Sequence, residues 1–224
     1  MWIILSGIIA PAIFWFGYLY FKDRIQPEPL RTTGITYILG IFSAILAIQI
    51  FKLLPILGIP EDPSALMETN RLKFLIYSVG ITGFLEELCK FLPFSLVVLR
   101  FKFFDEKIDG IIYASIIALG FASYENSRYL VYIEGLELFG RAFASPLTHA
   151  IFASIWGYSV GVASLRSRPV LKASVLGIGL AALCHGLFNF LTTSPALRLG
   201  ASFLILIIWV WQIRLIERLR HQSD

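Results

Sequence analysis

Hydrophobic residues form seven long runs along this chain, and short polar stretches separate them. A helix needs about 20 mainly apolar residues to cross the hydrocarbon core of a bilayer, and most of these runs reach that length. The pattern predicts an all-α polytopic membrane protein, a bundle of about seven transmembrane helices in one integral membrane domain covering residues 1–224. The predicted spans are residues 1–21, 33–54, 72–99, 110–132, 142–165, 170–191 and 197–213.

Composition supports a membrane protein and argues against other classes. Hydrophobic residues make up 57% of the chain, charged residues only 15%, and the mean hydropathy is +0.76, which is typical of multi-spanning proteins. The chain is basic, but its lysines and arginines are scattered between the apolar runs. We therefore expect the lipid bilayer, and no nucleic acid, as the partner of these charges. Both cysteines, Cys89 and Cys184, lie inside predicted spans, so no disulfide framework is expected.

The charges of the loops predict an orientation. If the first, third and fifth loops and the C-terminus share one side, that side carries 12 of the 19 Lys and Arg residues, the other side carries six, and Lys90 lies within a span. Basic residues favour the cytoplasmic side. The pattern therefore predicts a multi-pass protein of the cell membrane with its N-terminus outside and its C-terminus in the cytoplasm. An acidic, proline-rich connection at residues 55–70 would then lie outside.

Two glutamates and a lysine interrupt the third predicted span, within the stretch GFLEELCKF. Ionisable groups inside a membrane are costly and usually functional. On a helix Glu86 and Lys90 share a face, whereas Glu87 is turned away from Glu86, so one acid is expected to pair with the lysine while the other stays available. An internal ion pair that only eases membrane insertion is the simpler interpretation, but one carboxylate would be enough for it.

Other spans carry four more polar residues at a similar depth. Glu125 lies in the fourth span, His149 in the fifth, and His185 and Asn189 in the sixth. At about 1.5 Å rise per residue, the first three lie roughly 10–12 Å from the outer ends of their helices, and the glutamates of the third span lie one or two turns deeper. Each residue alone is compatible with an interhelical hydrogen bond. Together they supply a general base and donors for an oxyanion, so we expect one polar cluster that opens outward.

Small residues recur at helical spacing on the faces that carry these polar side chains. Such residues let transmembrane helices pack closely, so the polar side chains are expected to point into the bundle and not into lipid. The small residues are Gly80 and Gly83 in the third span, Gly110, Ala114 and Ala118 in the fourth, Ser145, Ala153, Gly157 and Gly161 in the fifth, and Gly177 and Ala181 in the sixth.

Four short motifs, in order along the chain, resemble those of the PrsW family of intramembrane proteases, which is related to the CAAX-type prenyl endopeptidases of the Abi group. EELCK, at residues 86–90, is similar to the family's EExxK motif, and FASYE, at residues 121–125, is similar to FxxxE. The isolated histidine of PLTHA and the segment HGLFN, at residues 185–189, which is similar to HxxxN, complete the set. The flanking segments YFKDRIQPEP and DEKIDGIIYA agree as well.

The resemblance implies an intramembrane peptide hydrolase that makes the first cut in a single-span membrane protein, in some family members an anti-sigma factor, near the extracytoplasmic side. It implies catalytic roles for Glu86, Glu87, Glu125, His149, His185 and Asn189, with Lys90 and Phe121 in support. In the mechanism that we expect, Glu86 is the general base that activates a water molecule. Glu87 and Glu125 position the water or carry protons. His185 and Asn189 donate to the oxyanion, with His149 beside them, and no cofactor is required.

Three alternatives stay open. A zinc-dependent protease would use His149, His185 and either Glu86 or Glu125 as ligands, since zinc accepts two histidines and a carboxylate; Lys90 argues mildly against it, because two positive centres would compete for the same carboxylates. A proton-coupled transporter also places acids and histidines in a bundle, but it predicts an internal repeat, which the sequence lacks. A non-catalytic membrane scaffold would use the cluster to bind a partner helix.

Overall fold

The computed structural model describes residues 2–24, 26–194 and 196–220, and all regular elements in these ranges are helices. The predicted all-α class is therefore confirmed. The longer helices are α1 (Trp2–Lys22), α2 (Leu30–Leu53), α5 (Phe84–Leu96), α6 (Asp109–Tyr129), α7 (Gly135–Leu165), α8 (Val170–Thr192) and α9 (Arg198–Arg220). Two short helices, α3 (Ser64–Thr69) and α4 (Arg71–Tyr77), lie between α2 and α5. Met1, with which the first predicted span begins, lies outside the described residues.

Four of the described helices are long and apolar enough to cross a membrane, judged by length and composition. The segments are Leu5–Lys22, Leu30–Leu57, Val170–Thr192 and Arg198–Leu219, of which the second continues past the end of α2 through a short turn of 3-10 helix. The other three predicted spans correspond to α4 with α5, to α6 and to α7. These four apolar helices support a multi-pass membrane protein. The count of seven spans, and the side of the membrane on which each terminus lies, stay predictions.

Three predicted boundaries differ from the structure. Helix α7 begins at Gly135, seven residues before the predicted fifth span, so the stretch that was expected to be a loop is its first two turns. Helix α9 runs on to Arg220 and is not short. The third predicted span is not one α-helix: a π-helical turn at Ser78–Gly83 separates α4 from α5.

Helix α6 is the centre of the bundle. It packs against α1, α2, α5 and α7, and every residue from 109 to 123 is buried. A helix that is enclosed on all sides needs no lipid-facing apolar stripe, because its neighbours and not lipid surround it. Its small and polar residues are therefore compatible with a central position in a membrane bundle.

Glycines set the distance between α6 and α7. A Cβ atom added at Gly157 would lie 2.5 Å from the Ala114 methyl group and would overlap the carbonyl oxygen of Gly110. One added at Gly161 would lie 3.1 Å from the Cα atom of Gly110. The close helix contact that the small residues predict is confirmed here. The prediction of a close contact is wrong for Gly80, because no described atom lies within 4 Å of a Cβ atom added there.

A second close contact joins the π-helical turn to α8. A Cβ atom at Gly83 would lie 2.5 Å from the carbonyl oxygen of Ala182, and one at Gly186 would overlap the backbone of Ser78 and Val79. Backbone therefore packs directly on backbone where the third predicted span is broken. π-helical turns occur frequently at functional sites, and this one immediately precedes Glu86.

The turn between α1 and α2 is tied to α6 through a buried carboxyl group. Glu28 is 4% exposed, its Oε2 atom accepts a hydrogen bond from the Tyr113 hydroxyl at 2.5 Å, and its backbone N–H donates to Asp23. Burial raises the pKa of Glu28 to about 8, and the charges of Asp109 and Asp23 add to the increase, although the Tyr113 hydrogen bond opposes it. The folded protein therefore holds this proton more tightly than the unfolded chain does.

The Gly157→Ala substitution is expected to lower the free energy of unfolding by about 1–3 kcal/mol, because the added methyl group forces α6 and α7 apart. Unfolding of the purified protein by SDS in mixed micelles would measure this. Gly140→Ala is the matched control on the same helix, where the added Cβ meets no described atom within 4 Å, and it should leave stability unchanged or slightly higher. Equal losses in both variants would contradict the packing.

Stability is expected to fall as the pH rises from about 5 to about 9, since the contribution of the Glu28 proton is complete below the unfolded pKa of about 4.5 and is lost as the pH passes the folded pKa. Glu28→Gln stays neutral and keeps an oxygen for Tyr113, so its dependence on pH should be shallower. Thermal unfolding midpoints in detergent across this range test the prediction. Identical slopes for the two proteins would show that Glu28 does not titrate as expected.

Candidate active site

Three glutamates and two histidines from four helices meet inside the bundle. Helix α5 contributes Glu86 and Glu87, α6 contributes Glu125, α7 contributes His149 and α8 contributes His185. The predicted offset of one or two turns does not separate the first two from the rest, because both contact His185. The predicted single polar cluster is thus present in the structure.

Glu87 is the most enclosed member of the cluster. Its Oε1 atom accepts hydrogen bonds from Lys90 Nζ at 2.6 Å and from His185 Nδ1 at 2.9 Å, and its Oε2 atom accepts one from Trp156 Nε1 at 2.9 Å. Both Glu87 and Lys90 are fully buried. A buried carboxylate with one cationic and two neutral donors is well satisfied, so Glu87 positions its neighbours and has no free oxygen for a reactant.

The lysine pairs with Glu87, three residues away, and not with Glu86, four residues away. Helical spacing places Glu86 and Lys90 on one face, but it does not say which neighbouring helices enclose that face. Helix α5 packs against α2, α6 and α8, so both glutamates lie in the interior. Glu86 is left without an ion pair to a lysine or arginine among the described residues.

Two neighbours fix the protonated nitrogen of His149. Its Nδ1 atom lies 2.9 Å from Lys90 Nζ, and its Nε2 atom lies 2.8 Å from Glu125 Oε2. An ammonium group only donates, so Nδ1 accepts and the ring proton resides on Nε2, from which Glu125 accepts it. Arg141 contacts the other oxygen of Glu125 at 3.3 Å, and Phe121 lies under the Lys90 ammonium, 4.5 Å from ring centroid to Nζ.

The second histidine has the opposite arrangement. His185 donates from Nδ1 to the carboxylate of Glu87, so a neutral ring carries its lone pair on Nε2. That nitrogen lies 3.6 Å from Glu86 Oε2. The two rings touch edge to face, with centroids 4.9 Å apart. The site therefore holds an N–H donor on His149 and a proton acceptor on His185 side by side.

Glu86 is the incompletely satisfied member of the cluster. Its side chain is buried, and its Oε2 atom has no hydrogen-bond partner among the described residues. A buried carboxylate oxygen without a donor costs at least about 1–3 kcal/mol. Two cavities reach this group, and Asn189, one turn from His185, lines one of them. Glu86 is thus the carboxylate best placed to contact a reactant.

The same residues fit a metal ion. Ligand atoms of Glu86, His149 and His185 all lie within 4.8 Å of one another, and two histidines with one carboxylate are a donor set of catalytic zinc. The unpartnered oxygen of Glu86 and the Nε2 lone pair of His185 are available, and Glu87 holds the distal nitrogen of His185, as carboxylates do around zinc-bound histidines. His149 would have to give up its contact with Lys90 or Glu125.

Two site residues were missed from the sequence. Arg141 was counted as a loop charge because the predicted fifth span began one residue later, whereas it lies in the second turn of α7. The indole N–H of Trp156 needs an acceptor because it is buried, and Glu87 on α5 supplies it. No regular residue spacing in the sequence predicts these partners, since each contact joins two different helices.

Comparison with known proteins agrees with the resemblance of the motifs. The model of the PrsW family, described as intramembrane metalloproteases, matches residues 28–215. Protease PrsW of Oceanobacillus iheyensis is 38% identical over 189 residues, 84% of this chain and 82% of the relative. Protease PrsW of Bacillus subtilis is 30% identical over 195 residues, 87% of this chain and 84% of the relative. No solved structure matches this chain.

The adjacent glutamates are expected to differ in their effect on stability. Glu87→Gln removes the anionic partner of the buried Lys90 and should lower the free energy of unfolding by roughly 3–5 kcal/mol. Glu86→Gln is the matched control on the same helix and should change it by about 1 kcal/mol at most, because no described donor depends on its Oε2 atom. SDS-induced unfolding in micelles compares them. An equal loss for both would contradict the division between a positioning and a reactive carboxylate.

Proposed function

This chain belongs to the PrsW family of intramembrane proteases, and from that premise we propose that it is an endopeptidase that cuts a membrane-anchored protein, such as an anti-sigma factor, near the extracytoplasmic side. The observation that carries the proposal is the buried Glu86 carboxylate, which has an unpartnered oxygen and belongs to the lining of two cavities. The two-to-one bias of basic loop residues supports an outward opening of the site.

In the proposed reaction, Glu86 takes a proton from a water molecule, whose oxygen attacks the carbon of the scissile carbonyl. His185 accepts the second water hydrogen bond at Nε2, because Glu87 holds the ring by its other nitrogen. The developing oxyanion accepts hydrogen bonds from the amide of Asn189 and from the Nε2–H of His149, which exchanges its hydrogen bond to Glu125 for one to the oxyanion. Glu86 then gives its proton to the leaving nitrogen as the C–N bond breaks, which yields a carboxylic acid and an amine.

Glu125 and Arg141 support the donor on His149. Glu125 accepts from the His149 N–H in the free protein, and Arg141 balances its charge from the other side. Lys90 keeps the His149 proton on Nε2, where it faces the site, by donating to Nδ1. The lysine is therefore proposed as a positioning residue that selects a tautomer, a role that a purely packing residue would not have.

A second catalytic type is favoured by the grouping of Glu86, His149 and His185 and by the family's description as metalloproteases. Those three residues would hold the ion. A zinc ion bound there would polarise the scissile carbonyl and lower the pKa of a bound water. Glu125 would not be a ligand, and once His149 turned from it to the ion, its Oε2 atom could accept the water proton while Arg141 holds the other oxygen.

Cleavage in proteoliposomes tests the function and separates the two types. The substrate is a single-span protein with an extracytoplasmic stub, and the enzymes are wild type, Glu86→Gln, the exposed control Glu68→Gln, and wild type stripped by a chelator with residual zinc quantified. We expect Glu86→Gln to lose about 100- to 10,000-fold in kcat, as for the removal of a general base. Glu68→Gln should match wild type.

Activity that survives verified metal removal would establish the water-activating glutamate without a metal. Activity that chelation abolishes and zinc restores would establish the metal type. Retained cleavage by Glu86→Gln would contradict both versions of the mechanism.

A further inference from the structure

Glu86 belongs to the lining of two cavities. One, of about 490 Å³, lies between α2 and α6 and is called here the α2–α6 cavity. The other, of about 330 Å³, lies between α7 and α8 and is called the α7–α8 cavity. Glu86, Glu125, Thr82 and Tyr129 line both. A peptide that passed from one cavity to the other would therefore cross directly over the two carboxylates.

The walls of the α2–α6 cavity are mainly apolar. Ala44, Ala47, Ile48 and Phe51 of α2 face Phe121 of α6. At its far end the cavity reaches residues 61–63. The Tyr77 hydroxyl holds the start of this segment through hydrogen bonds to the carbonyl oxygens of Pro60 and Glu61, at 2.7 and 3.2 Å. This cavity suits an apolar side chain of the kind that fills transmembrane segments.

The α7–α8 cavity is polar and carries unsatisfied groups. Its lining includes Ser145, Thr148, Asn189 and Arg141. The Ser145 hydroxyl oxygen and the Arg141 Nε atom are buried and have no hydrogen-bond partner among the described residues, as is the case for Glu86 Oε2. The Ser145 hydroxyl and the Arg141 N–H are two donors, and Glu86 Oε2 is an acceptor. Together they suit a ligand that has both a carbonyl and an N–H group.

An extended peptide backbone is such a ligand. A protease must open the helix of a membrane substrate to reach a peptide bond, and the freed N–H and C=O groups then need partners, because lipid offers none. Arg141 can donate to a carbonyl, and Ser145 can donate or accept. The unpartnered groups of the α7–α8 cavity match this demand in number and in kind.

We propose that the substrate lies extended across Glu86, with a bulky apolar side chain on one side of the scissile bond in the α2–α6 cavity and the backbone of the other side bound by Ser145 and Arg141 in the α7–α8 cavity. The proposal rests on the proposed function and adds its substrate class: segments in which a bulky apolar residue lies on one side of the cut. Ile48 is the residue that determines this specificity, and Ser145 binds the backbone whatever the side chain.

The apolar site is tested with single-span Leu/Ala peptides that carry a Gly/Ser stub, in which one residue of the outer third is Ala, Leu or Phe. Ile48→Trp should reduce the preference in kcat/KM for Leu or Phe over Ala at least about 10-fold, and Ile48→Ala should shift it towards Phe. Ile38, 52% exposed on the outer face of the same helix, supplies the control variants Ile38→Trp and Ile38→Ala, which should keep the wild-type preference.

The polar site is tested by deleting one hydroxyl group. Ser145→Ala should lower kcat/KM about 5- to 10-fold for every peptide, mainly through KM, without loss of thermal stability, since this hydroxyl has no partner within the described chain. Ser159→Ala is the control on the same helix: its hydroxyl bonds to the Ile155 carbonyl oxygen and lines neither cavity. It should leave kinetics unchanged.

A binding measurement separates failure of this inference from failure of the function. In the Glu86→Gln protein, photoreactive residues at positions 48 and 145 should cross-link the same peptide on opposite sides of the bond that wild type cuts. Cross-links on one side only, or unchanged preferences in the Ile48 variants, would overturn the two-cavity arrangement while the proposed function stands. Cross-links from positions 48 and 145 to two separate segments of one peptide, with no cleavage of any peptide by wild type, would support the arrangement and contradict the function.

Discussion

The charge of Glu87 is the constraint on which the rest of the bundle depends. A carboxylate that is fully removed from water must be paired and hydrogen-bonded, because an uncompensated buried charge costs several kcal/mol. Glu87 meets that requirement with donors from three helices: Lys90 on its own helix, Trp156 on α7 and His185 on α8. The same lysine reaches His149, so the ion pair also fixes the second histidine. One satisfied carboxylate thereby orients both imidazole rings.

Adjacent glutamates with the same side chain receive different tasks from their surroundings. Three donors surround Glu87, whereas Glu86 has a distant histidine and an open cavity. The sequence places them next to each other, and only the packing of α5 between α2, α6 and α8 distinguishes them. Three donors hold Glu87 in place, whereas Glu86 keeps an oxygen without a partner among the described residues, as the proposed mechanism requires. This is the pattern expected where a catalytic group is held by a supporting shell.

Much of the fold class and the membership of the cluster follow from the sequence, because ionisable residues inside apolar runs are rare enough to stand out. The motifs named Glu86, Glu125, His149 and His185, and the structure brings these residues together. Their partners do not follow. The pairing of Lys90 depends on which helices enclose α5. The role of Arg141 depends on where α7 begins, and this start is hard to predict because the first turns of the helix contain polar residues. Contacts between different helices have no regular separation along the sequence, so residue spacing cannot predict them.

The break in the third predicted span explains why its depth was misjudged and why the site can form. Successive helix positions are 100° apart, so the wider π-helical turn at Ser78–Gly83 changes the direction in which Glu86 and Glu87 face relative to α4. That turn lies against α8 only because Gly83 and Gly186 lack side chains, which lets backbone meet backbone. The glycines therefore do more than tighten a helix pair: they hold an irregular segment against the helix that carries His185. The turn is buried at its two ends, Ser78 and Gly83, and Thr82 within it lines both cavities. Irregular backbone at membrane depth is tolerated where protein covers it or where it lines a cavity.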